Sequence, residues 1–347
     1  MRLDAFDYHL PKELIAQEPL EDRSSSRLMV VDRATGAFEH AHFRDLPSFL
    51  TPGDLVVVNR SRVMRARLFV RRSTGARVEL LVTRLLDDRR FTALANPMRR
   101  TKPGESLRGE NGAFECRVLA RDGEREVEAE IVSGGGVHDV LESYGHVPLP
   151  PYIARADCDA DRDRYQTVFA REEGSVAAPT AGLHFTDDLL SAIRARGIGV
   201  ESVVLHVGLG TFLPLEDPQV ENNKLHSESF SVSGATLDAI ARAKSSGRGV
   251  VAVGTTATRV LEAVHGPGAR GSDGAGKDLS GATDIFIYPG YEFRCVDRLI
   301  TNFHLPMSSL LLLVCAFLGA EKTLACYEAA VREKYRFYSY GDAMIVR

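Results

Sequence analysis

The amino-acid sequence predicts an α/β domain with a mostly parallel sheet plus an inserted small antiparallel β-barrel domain. Between about residues 68 and 147, short stretches of period-two alternation are separated by turn clusters such as Asn111-Gly112. This pattern is typical of an antiparallel sheet or a small barrel. From Ser175 onward, strand-like and helix-like segments alternate, which favours a mostly parallel sheet. The length of 347 residues is compatible with two domains.

Four strands are predicted in the barrel region: Ala76–Leu86, Arg90–Pro97, Ala113–Arg121 and Glu126–Gly134. The segment after them, Val147–Ile153, is proline-rich and therefore extended. The strand Asp54–Asn59 precedes the barrel and is expected to join the α/β domain. We therefore predict that residues 1–67 and 148–347 form a discontinuous α/β catalytic domain, with residues 68–147 as the inserted barrel domain.

Helix and strand signals alternate in the second half of the chain. Thr186 is expected to cap a helix that Gly197 ends. The sequence around Gly266–Thr283 has the composition of a flexible surface loop. Further predicted elements are the strand Gly199–Val207, a helix around Ala235–Ser245, the strand Gly249–Gly254, the helix Ala257–Val264 and a buried apolar helix at Leu310–Leu318.

Composition narrows the possible classes of protein. The five cysteines are scattered without a CxxC pair or a histidine at metal-ligand spacing, so we expect free thiols and no metal site. The longest apolar run is about half of the ~20 residues that a bilayer requires, and no secretory signal is evident. We therefore expect a cytoplasmic protein without a membrane segment.

Positive charge is concentrated in one part of the chain. Between Arg60 and Arg108 there are 14 Lys and Arg against four Asp and Glu, a local balance of +10 in a chain of net charge −4. Such a stretch is typical of contact with a polyanion such as RNA. The alternative is that these arginines only occupy solvent-facing strand positions.

Four strand-like segments run into turns rich in Gly, Thr and His: Ser175–Thr186, Val203–Phe212, Val250–Arg259 and Leu299–Ser309. In an open α/β sheet such turns converge on one crevice, where ligands bind. Glycine permits close approach of the backbone, whereas Thr and His supply hydrogen-bonding and titratable groups. The turns predict a pocket for a nucleotide-like small molecule.

Histidines His184, His206, His226 and His304 all fall at strand ends or in adjoining loops. General acid–base work is the functional interpretation, whereas a hydrogen-bonded structural histidine is the commoner case. Glu228 follows His226 by two residues and shares its face of a strand.

The aromatic and basic segment Tyr335–Asp342 either stacks on RNA bases or packs on the core as a last strand.

Taken together, several long motifs resemble the S-adenosylmethionine:tRNA ribosyltransferase-isomerase (QueA) family. They are PTAGLHFT, LHVGLGTF, HSE, VGTT, YEF, LITNFHLP and YRFYSYGDAM, together with FDYHLPKELIAQEPLEDRSSSRL, LPPYI and RYQTVFA. The resemblance covers nearly the whole chain in order. The sequence departs from the family pattern at NRSRVMRARL, where Arg60 and Arg65 add positive charge, and at GTTATR, where position 257 is Ala.

The resemblance implies an unusual use of S-adenosylmethionine as a co-substrate. The ribosyl part would be transferred and isomerised onto 7-aminomethyl-7-deazaguanine at the tRNA wobble position, giving epoxyqueuosine-tRNA, adenine and methionine. It also implies an α/β domain plus a β-barrel, and a monomer. The competing hypotheses are a noncatalytic tRNA-binding factor with a nucleotide-sensing pocket and an ordinary methyltransferase; the latter is disfavoured because no strand runs into a GxGxG turn and helix.

Within that activity, a base must remove a proton from the ribose carbon next to the sulfonium, and a neutral histidine suits this task. We predict His184 or His206 as the base, with Glu228 as its partner or alternative. The residues predicted to bind the co-substrate are Thr180, Gly182, Gly208, Gly210, Thr211, Thr255, Thr256 and Arg259. The residues predicted to contact tRNA are Arg60, Arg62, Arg65, Arg67, Arg99, Arg100, Lys102, Tyr335 and Arg336.

Overall fold

A computed structural model describes residues 2–98, 101–122, 126–208, 215, 224–266 and 276–347. The strands are β1 (Arg27–Val31), β2 (Phe38–His42), β3 (Leu55–Asn59), β4 (Ser61–Val63), β5 (Arg67–Arg72), β6 (Arg77–Leu85), β7 (Arg90–Asn96), β8 (Ser106–Gly109), β9 (Glu115–Asp122), β10 (Glu126–Ser133), β11 (Glu172–Ser175), β12 (Gly199–Leu205), β13 (Lys224–Val232), β14 (Val250–Val253), β15 (Leu279–Ile285), β16 (Arg298–Asn302) and β17 (Ala343–Val346).

The α-helices are α1 (Val137–Tyr144), α2 (Asp161–Arg164), α3 (Asp187–Ala195), α4 (Gly234–Ser245), α5 (Gly254–His265), α6 (Ser309–Leu318) and α7 (Ala320–Arg332). Short 3-10 helices lie at Leu3–Phe6, Lys12–Leu14, Arg23–Ser25, Phe43–Phe49 and Thr180–His184.

Nine strands form one mixed sheet in the order β15-β13-β12-β3-β14-β16-β17-β1-β2. Its central strands β12, β3, β14 and β16 are mutually parallel. The outer pairs β15–β13 and β1–β2 are antiparallel. The predicted parallel arrangement therefore applies to the centre of the sheet. Strands there are covered on both faces, so their sequences are continuously apolar.

The sheet separates two layers of the core. In β3, Val57 points to the face that packs against α5 and α6, whereas Val56 and Val58 point to the face that packs against α3. All five residues of β3 are buried, as expected of a strand with helices on both sides. This arrangement fixes the carboxyl ends of the central strands at one edge.

A closed barrel of six antiparallel strands, in the order β10-β7-β6-β5-β8-β9, forms the second unit. The predicted α/β domain with an inserted antiparallel barrel is thus confirmed. The four predicted barrel strands correspond to β6, β7, β9 and β10, whereas the sequence analysis missed β5, β8 and α1. The barrel strands extend from Arg67 to Ser133, and the exact domain boundaries stay a prediction.

Three further expectations need correction. The predicted loop at Gly266–Thr283 ends earlier, because β15 begins at Leu279; residues 267–275 lie outside the described part of the chain. The helix predicted from Ala257 begins at Gly254, so the Gly-Thr-Thr turn forms its first turn. The segment 335–342 is not a strand, and the last strand is β17.

Helix α6 corresponds to the predicted apolar helix at Leu310–Leu318. Among the described residues, no single helix is long and apolar enough to cross a bilayer, and only the pair α6 and α7, bent by 115°, passes that test together.

A buried carboxylate in α5 holds the loop that precedes β16. Glu262 is 0% exposed and accepts hydrogen bonds from the backbone N–H groups of Arg294 (2.9 Å), Cys295 (3.1 Å) and Val296 (2.9 Å). The Tyr291 hydroxyl donates to the same carboxylate at 3.2 Å. Because buried backbone donors need partners, this side chain stabilises the loop and the start of the strand.

We expect Glu262→Gln to lower the free energy of unfolding by roughly 2–3 kcal/mol. The NH₂ group of glutamine would face backbone N–H donors, and the charge-assisted hydrogen bonds of the carboxylate would be lost. Urea unfolding measures the change. The matched control is Glu321→Gln at an exposed position of α7, which should shift stability by less than about 0.5 kcal/mol. Equal midpoints for the two variants would contradict this role of Glu262.

Candidate active site

The carboxyl ends of β14 and β16, the end of β12 and the 3-10 helix Thr180–His184 enclose a cavity of about 340 Å³. Three of the four predicted turns contribute Thr180, Gly254, Thr255, Thr256, Asn302 and His304 to its wall, and the fourth contributes Val207. The expectation that these turns surround one pocket agrees with the geometry of parallel strands, whose carboxyl ends meet at one edge.

The Asn302 carboxamide holds three walls of this cavity together. Its Oδ1 accepts a hydrogen bond from Thr180 Oγ1 (3.0 Å), and its Nδ2 lies 3.2 Å from the Tyr338 carbonyl and 3.4 Å from that of Asp342. The same Nδ2 lies 3.1 Å from His184 Nε2. One side chain therefore ties the end of β16 to two segments that are distant in sequence.

The aromatic wall consists of Tyr152 and Tyr338, whose ring centroids lie 4.0 Å apart. Tyr338 adopts a φ of 72°, which is uncommon for a residue with a bulky side chain. Its N–H donates to Phe303 O at 3.1 Å and its carbonyl faces Asn302, so hydrogen bonds hold the strained backbone in place. Tyr152 Oη is fixed by Ser339 Oγ at 2.5 Å.

The first turn of α5 supplies the polar wall. Gly254 has a φ of 85°, a conformation suited to glycine, and it directs the chain into Thr255 and Thr256. The N–H groups of a first helical turn have no intrahelical acceptors. Within the described residues, the buried Thr256 Oγ1 has no hydrogen-bond partner. A polar or anionic ligand group can satisfy these donors.

His304 is the histidine that lines the main cavity. Its Nε2 forms a hydrogen bond with Thr301 Oγ1 at 2.8 Å, and its backbone carbonyl accepts from Tyr8 Oη. Burial lowers the pKa of His304 to about 3, so the imidazole is neutral at pH 7. His304 is not among the residues predicted to be catalytic; its place in the Leu299–Ser309 turn is the sequence signal that points to it.

His184 has a different setting, outside the wall of the main cavity. Because Nε2 faces the amide of Asn302, Nδ1 is the nitrogen that donates to Ser26 Oγ at 2.8 Å. The ring stacks on Phe43 with centroids 4.8 Å apart. Burial, with Arg336 nearby, lowers the pKa of His184 to about 3. These contacts are those of a structural histidine, and its predicted catalytic role stays a prediction.

His206 lies beside Gly174, where an added Cβ would approach its Nδ1 to 2.6 Å. This Nδ1 is buried and has no hydrogen-bond partner among the described residues, and burial lowers the pKa of His206. The side chain is not part of the main cavity wall, although the next residue, Val207, is. His206 is therefore adjacent to the cavity rather than within it.

Glu228 and Arg259 form a buried ion pair next to the cavity. Both line a small pocket that shares Leu310 with the main cavity. Glu228 also accepts from the Gly208 N–H at 2.8 Å. Arg259 is 6% exposed and donates through Nε to Ile285 O at 3.3 Å, while its Nη2 has no hydrogen-bond partner among the residues that the structure describes. The free end of this guanidinium is a ready site for an anionic group.

The remaining residues predicted to bind co-substrate fall into two groups. Gly182 is packed against Phe169 and Thr167, where an added Cβ would approach within 2.7 and 2.8 Å, so it serves close packing of the 3-10 helix. Gly210 and Thr211 lie outside the described residues.

The residues predicted to contact tRNA are mostly bonded within the protein. Arg62 pairs with Glu173 at 3.6 Å and Arg67 with Glu79 at 3.0 Å, and Arg65 donates to the backbone carbonyl of Gly145. Intramolecular partners leave these side chains less available to phosphate.

The C-terminal aromatic segment is also bonded within the protein. Tyr335 is 0% exposed and its hydroxyl is bonded to His40 Nδ1 at 2.7 Å. Arg336 donates to the carbonyl of Glu18. Of the other predicted residues, Lys102 is exposed, whereas Arg99 and Arg100 lie outside the described residues.

Comparison with known proteins identifies the family. The model of the queuosine biosynthesis protein family matches residues 3–346. The chain belongs to this family. It is 49% identical over 349 residues to the S-adenosylmethionine:tRNA ribosyltransferase-isomerase of Heliobacterium modesticaldum. It is 46% identical over 350 residues to that of Clostridium kluyveri, and 100% of each chain is covered in both comparisons.

A solved structure of the family has the same architecture. The S-adenosylmethionine tRNA ribosyltransferase from Thermotoga maritima superposes with a TM-score of 0.57 at 35% identity, covering 99% of this chain and 100% of that one. The resemblance inferred from the motifs is confirmed, and the family likeness extends to the cavity-forming turns because it spans the whole chain.

Acid should destabilise the protein through its buried neutral histidines. The pKa values of His184 and His304 fall from 6.5 to about 3, so between these values the unfolded chain binds protons that the folded chain does not. Unfolding free energy should therefore decrease as pH falls through this range, by up to roughly 1.4 kcal/mol per pH unit for each histidine. Urea unfolding at a series of pH values between about 7 and 4.5 measures the slope.

His184→Gln and His304→Gln each remove one group that takes up a proton on unfolding. In each variant, the unfolding free energy should therefore change less steeply with pH. The exposed His226→Gln is the control for loss of an imidazole. If all four proteins have the same pH slope, the buried histidines are not the source of the acid sensitivity.

Proposed function

We propose that this protein is an S-adenosylmethionine:tRNA ribosyltransferase-isomerase that acts in queuosine biosynthesis. It transfers and isomerises the ribosyl moiety of S-adenosylmethionine onto 7-aminomethyl-7-deazaguanine at the tRNA wobble position. The products are epoxyqueuosine-tRNA, adenine and methionine. The observation that carries this proposal is full-length identity of 46–49% to proteins that bear that name.

The polar groups at the cavity suit S-adenosylmethionine. Thr256 Oγ1 and Arg259 Nη2 are buried without hydrogen-bond partners in the described part of the chain, and such groups are costly unless a ligand satisfies them. The co-substrate supplies ribose hydroxyls, an adenine and an amino-acid carboxylate. We assign the carboxylate to Arg259 and a hydroxyl or adenine nitrogen to the first turn of α5. A volume of about 340 Å³ is within the range of small-molecule sites.

The sulfonium of the bound co-substrate acidifies the adjacent ribose methylene, so the protein must hold a proton acceptor near it. Of the predicted candidates, His206 has a neutral ring whose Nδ1 lacks a hydrogen-bond partner among the described residues, whereas both nitrogens of His184 are engaged. We therefore favour His206 over His184. Glu228 orients Arg259 and the Gly208 backbone through its two oxygens.

The nucleic-acid substrate is a tRNA, and the wobble position is the proposed point of attack. The aromatic pair Tyr152 and Tyr338 at the cavity wall offers a surface against which a purine-like base can stack. A monomeric state and a cytoplasmic location remain predictions from the sequence.

Incubation with S-adenosylmethionine and a tRNA that carries 7-aminomethyl-7-deazaguanine tests the activity directly. We expect adenine and methionine in equal amounts, together with a mass gain on the tRNA, measured by chromatography and mass spectrometry. Release of S-adenosylhomocysteine would indicate a methyltransferase instead. Unchanged co-substrate with bound tRNA would support a noncatalytic binding factor.

The role of Arg259 can be tested with a double-mutant-type cycle, in which the ligand loses its carboxylate and the protein loses the guanidinium. The wild-type protein should bind S-adenosylmethionine about 10- to 100-fold more tightly than its decarboxylated analogue, because charge-assisted hydrogen bonds contribute about 1.5–3 kcal/mol. In Arg259→Met this ratio should approach one. Isothermal titration calorimetry measures all four affinities.

Thr256→Val is the control for the cycle, since it should weaken both ligands and leave their ratio unchanged. A ratio preserved in Arg259→Met, with both ligands still bound, would place the carboxylate elsewhere. Because each ratio is taken within one variant, a general loss of stability cancels from the comparison.

A further inference from the structure

Three arginines from separate segments meet at a surface groove on the face of the sheet that packs against α3. The groove has a volume of about 270 Å³, and Arg60, Arg171 and Arg194 line it together with Phe169, Glu201 and Ser202. Arg60 follows β3, Arg171 precedes β11 and Arg194 lies in the last turn of α3. We call this site the three-arginine groove.

Two of the three arginines in the groove lack an ionic partner in the part of the chain that the structure describes. Arg171 and Arg194 are exposed and form no side-chain hydrogen bond or ion pair with the described residues. Arg60 is paired with Glu172 at 3.3 Å and donates to Ser202 Oγ at 3.3 Å, while its buried Nε has no hydrogen-bond partner among the described residues. Glu201 is the carboxylate in the groove wall, and it accepts from Thr236 Oγ1 at 3.2 Å.

The barrel contains the basic stretch of the sequence, but several of its arginines form ion pairs within the protein. Arg72 pairs with Glu105 at 2.5 Å, Arg77 with Glu110 at 3.1 Å and Arg90 with Asp87 at 2.7 Å. Two carboxylates that flank β8 and one between β6 and β7 therefore pair with these three arginines. Phosphate groups bind most readily to guanidinium groups that are accessible and lack internal partners.

The groove is also connected to the candidate active site. Arg171 donates its backbone N–H to Arg60 O at 2.8 Å and leads directly into β11. At the end of that strand, Val176 N–H donates to Val207 O at 2.9 Å, and Val207 lines the main cavity. The segment that carries Arg171 is therefore continuous with the segment that pairs with the cavity residue Val207.

We infer that the three-arginine groove binds the phosphate backbone of the tRNA substrate. This inference rests on the proposed function for the identity of the RNA. Arg171 and Arg194 contact phosphates, Arg60 forms the floor of the groove, and Phe169 provides an apolar contact for sugar or base. These contacts position the RNA and carry no sequence information.

The test is the salt dependence of tRNA binding to wild-type protein and to an Arg171→Gln/Arg194→Gln double variant. Neutralising two phosphate contacts should reduce the slope of log K against log salt concentration by about 1.5. It should also weaken binding near 0.15 M salt about 10- to 30-fold. Each single variant should give about half of the change in slope. Fluorescence anisotropy with labelled tRNA measures both quantities.

Arg242→Gln is the matched control, because Arg242 is an exposed arginine in the last turn of α4 on the other face of the sheet. It should leave the salt slope unchanged. In turnover assays, the double variant should raise KM for tRNA and leave both kcat at saturating tRNA and the affinity for S-adenosylmethionine unchanged. These readouts separate a loss of RNA contact from a loss of folding.

If wild-type protein binds and modifies tRNA but the double variant matches Arg242→Gln in affinity and slope, the inference is overturned. It is likewise overturned if the double variant loses affinity for inorganic pyrophosphate while its tRNA slope is unchanged, since the groove would then bind free anions. Failure of the wild-type protein to release adenine would overturn the proposed function instead. In that case, the salt dependence of tRNA binding by the wild-type protein and the double variant would alone decide whether the groove binds RNA.

Discussion

The side chain of Asn302 is the constraint on which the candidate active site depends. A carboxamide offers one acceptor oxygen and two donor hydrogens, and here they connect the end of β16 with Thr180 on one side and with the carbonyls of Tyr338 and Asp342 on the other. Without this link the positive φ of Tyr338 has less to hold it, and the aromatic wall of the cavity loses its position. Because Asn302, Tyr338 and Asp342 are buried, each of their polar groups left unpaired would cost free energy of folding.

The electrostatic organisation follows from burial. Near the carboxyl ends of the central strands, burial keeps the imidazoles of His184 and His304 neutral. Arg259 forms an ion pair with Glu228. This leaves hydrogen-bonding groups without net charge at the cavity wall, an arrangement suited to a ligand that brings its own positive sulfonium. Arginines without an ionic partner among the described residues, Arg171 and Arg194, lie instead at the three-arginine groove, where a polyanion can reach them from solvent.

Much of the fold was predictable because it rests on local signals. Period-two alternation and turn residues predicted β6, β7, β9 and β10, and the apolar run predicted α6. Strands β5 and β8 were missed because each is short or rich in arginine, and their pairing in the barrel is a long-range event that local periodicity does not encode. The same reason explains the antiparallel edges of the main sheet, which sequence alternation alone did not distinguish from its parallel centre.

The sequence by itself determined the family, the α/β-plus-barrel architecture and the turns that surround the cavity, since these depend on motif order and local backbone preferences. Only the tertiary structure decided which side chains those turns present. His184 is bonded to Ser26, 158 residues away, while His304 in an equivalent turn reaches the cavity. Likewise, carboxylates at the ends of strands pair with several arginines of the barrel, whereas Arg171 and Arg194 line one groove without an ionic partner among the described residues. Side-chain direction, burial and pairing are set by contacts between distant segments, and a single sequence does not specify them locally.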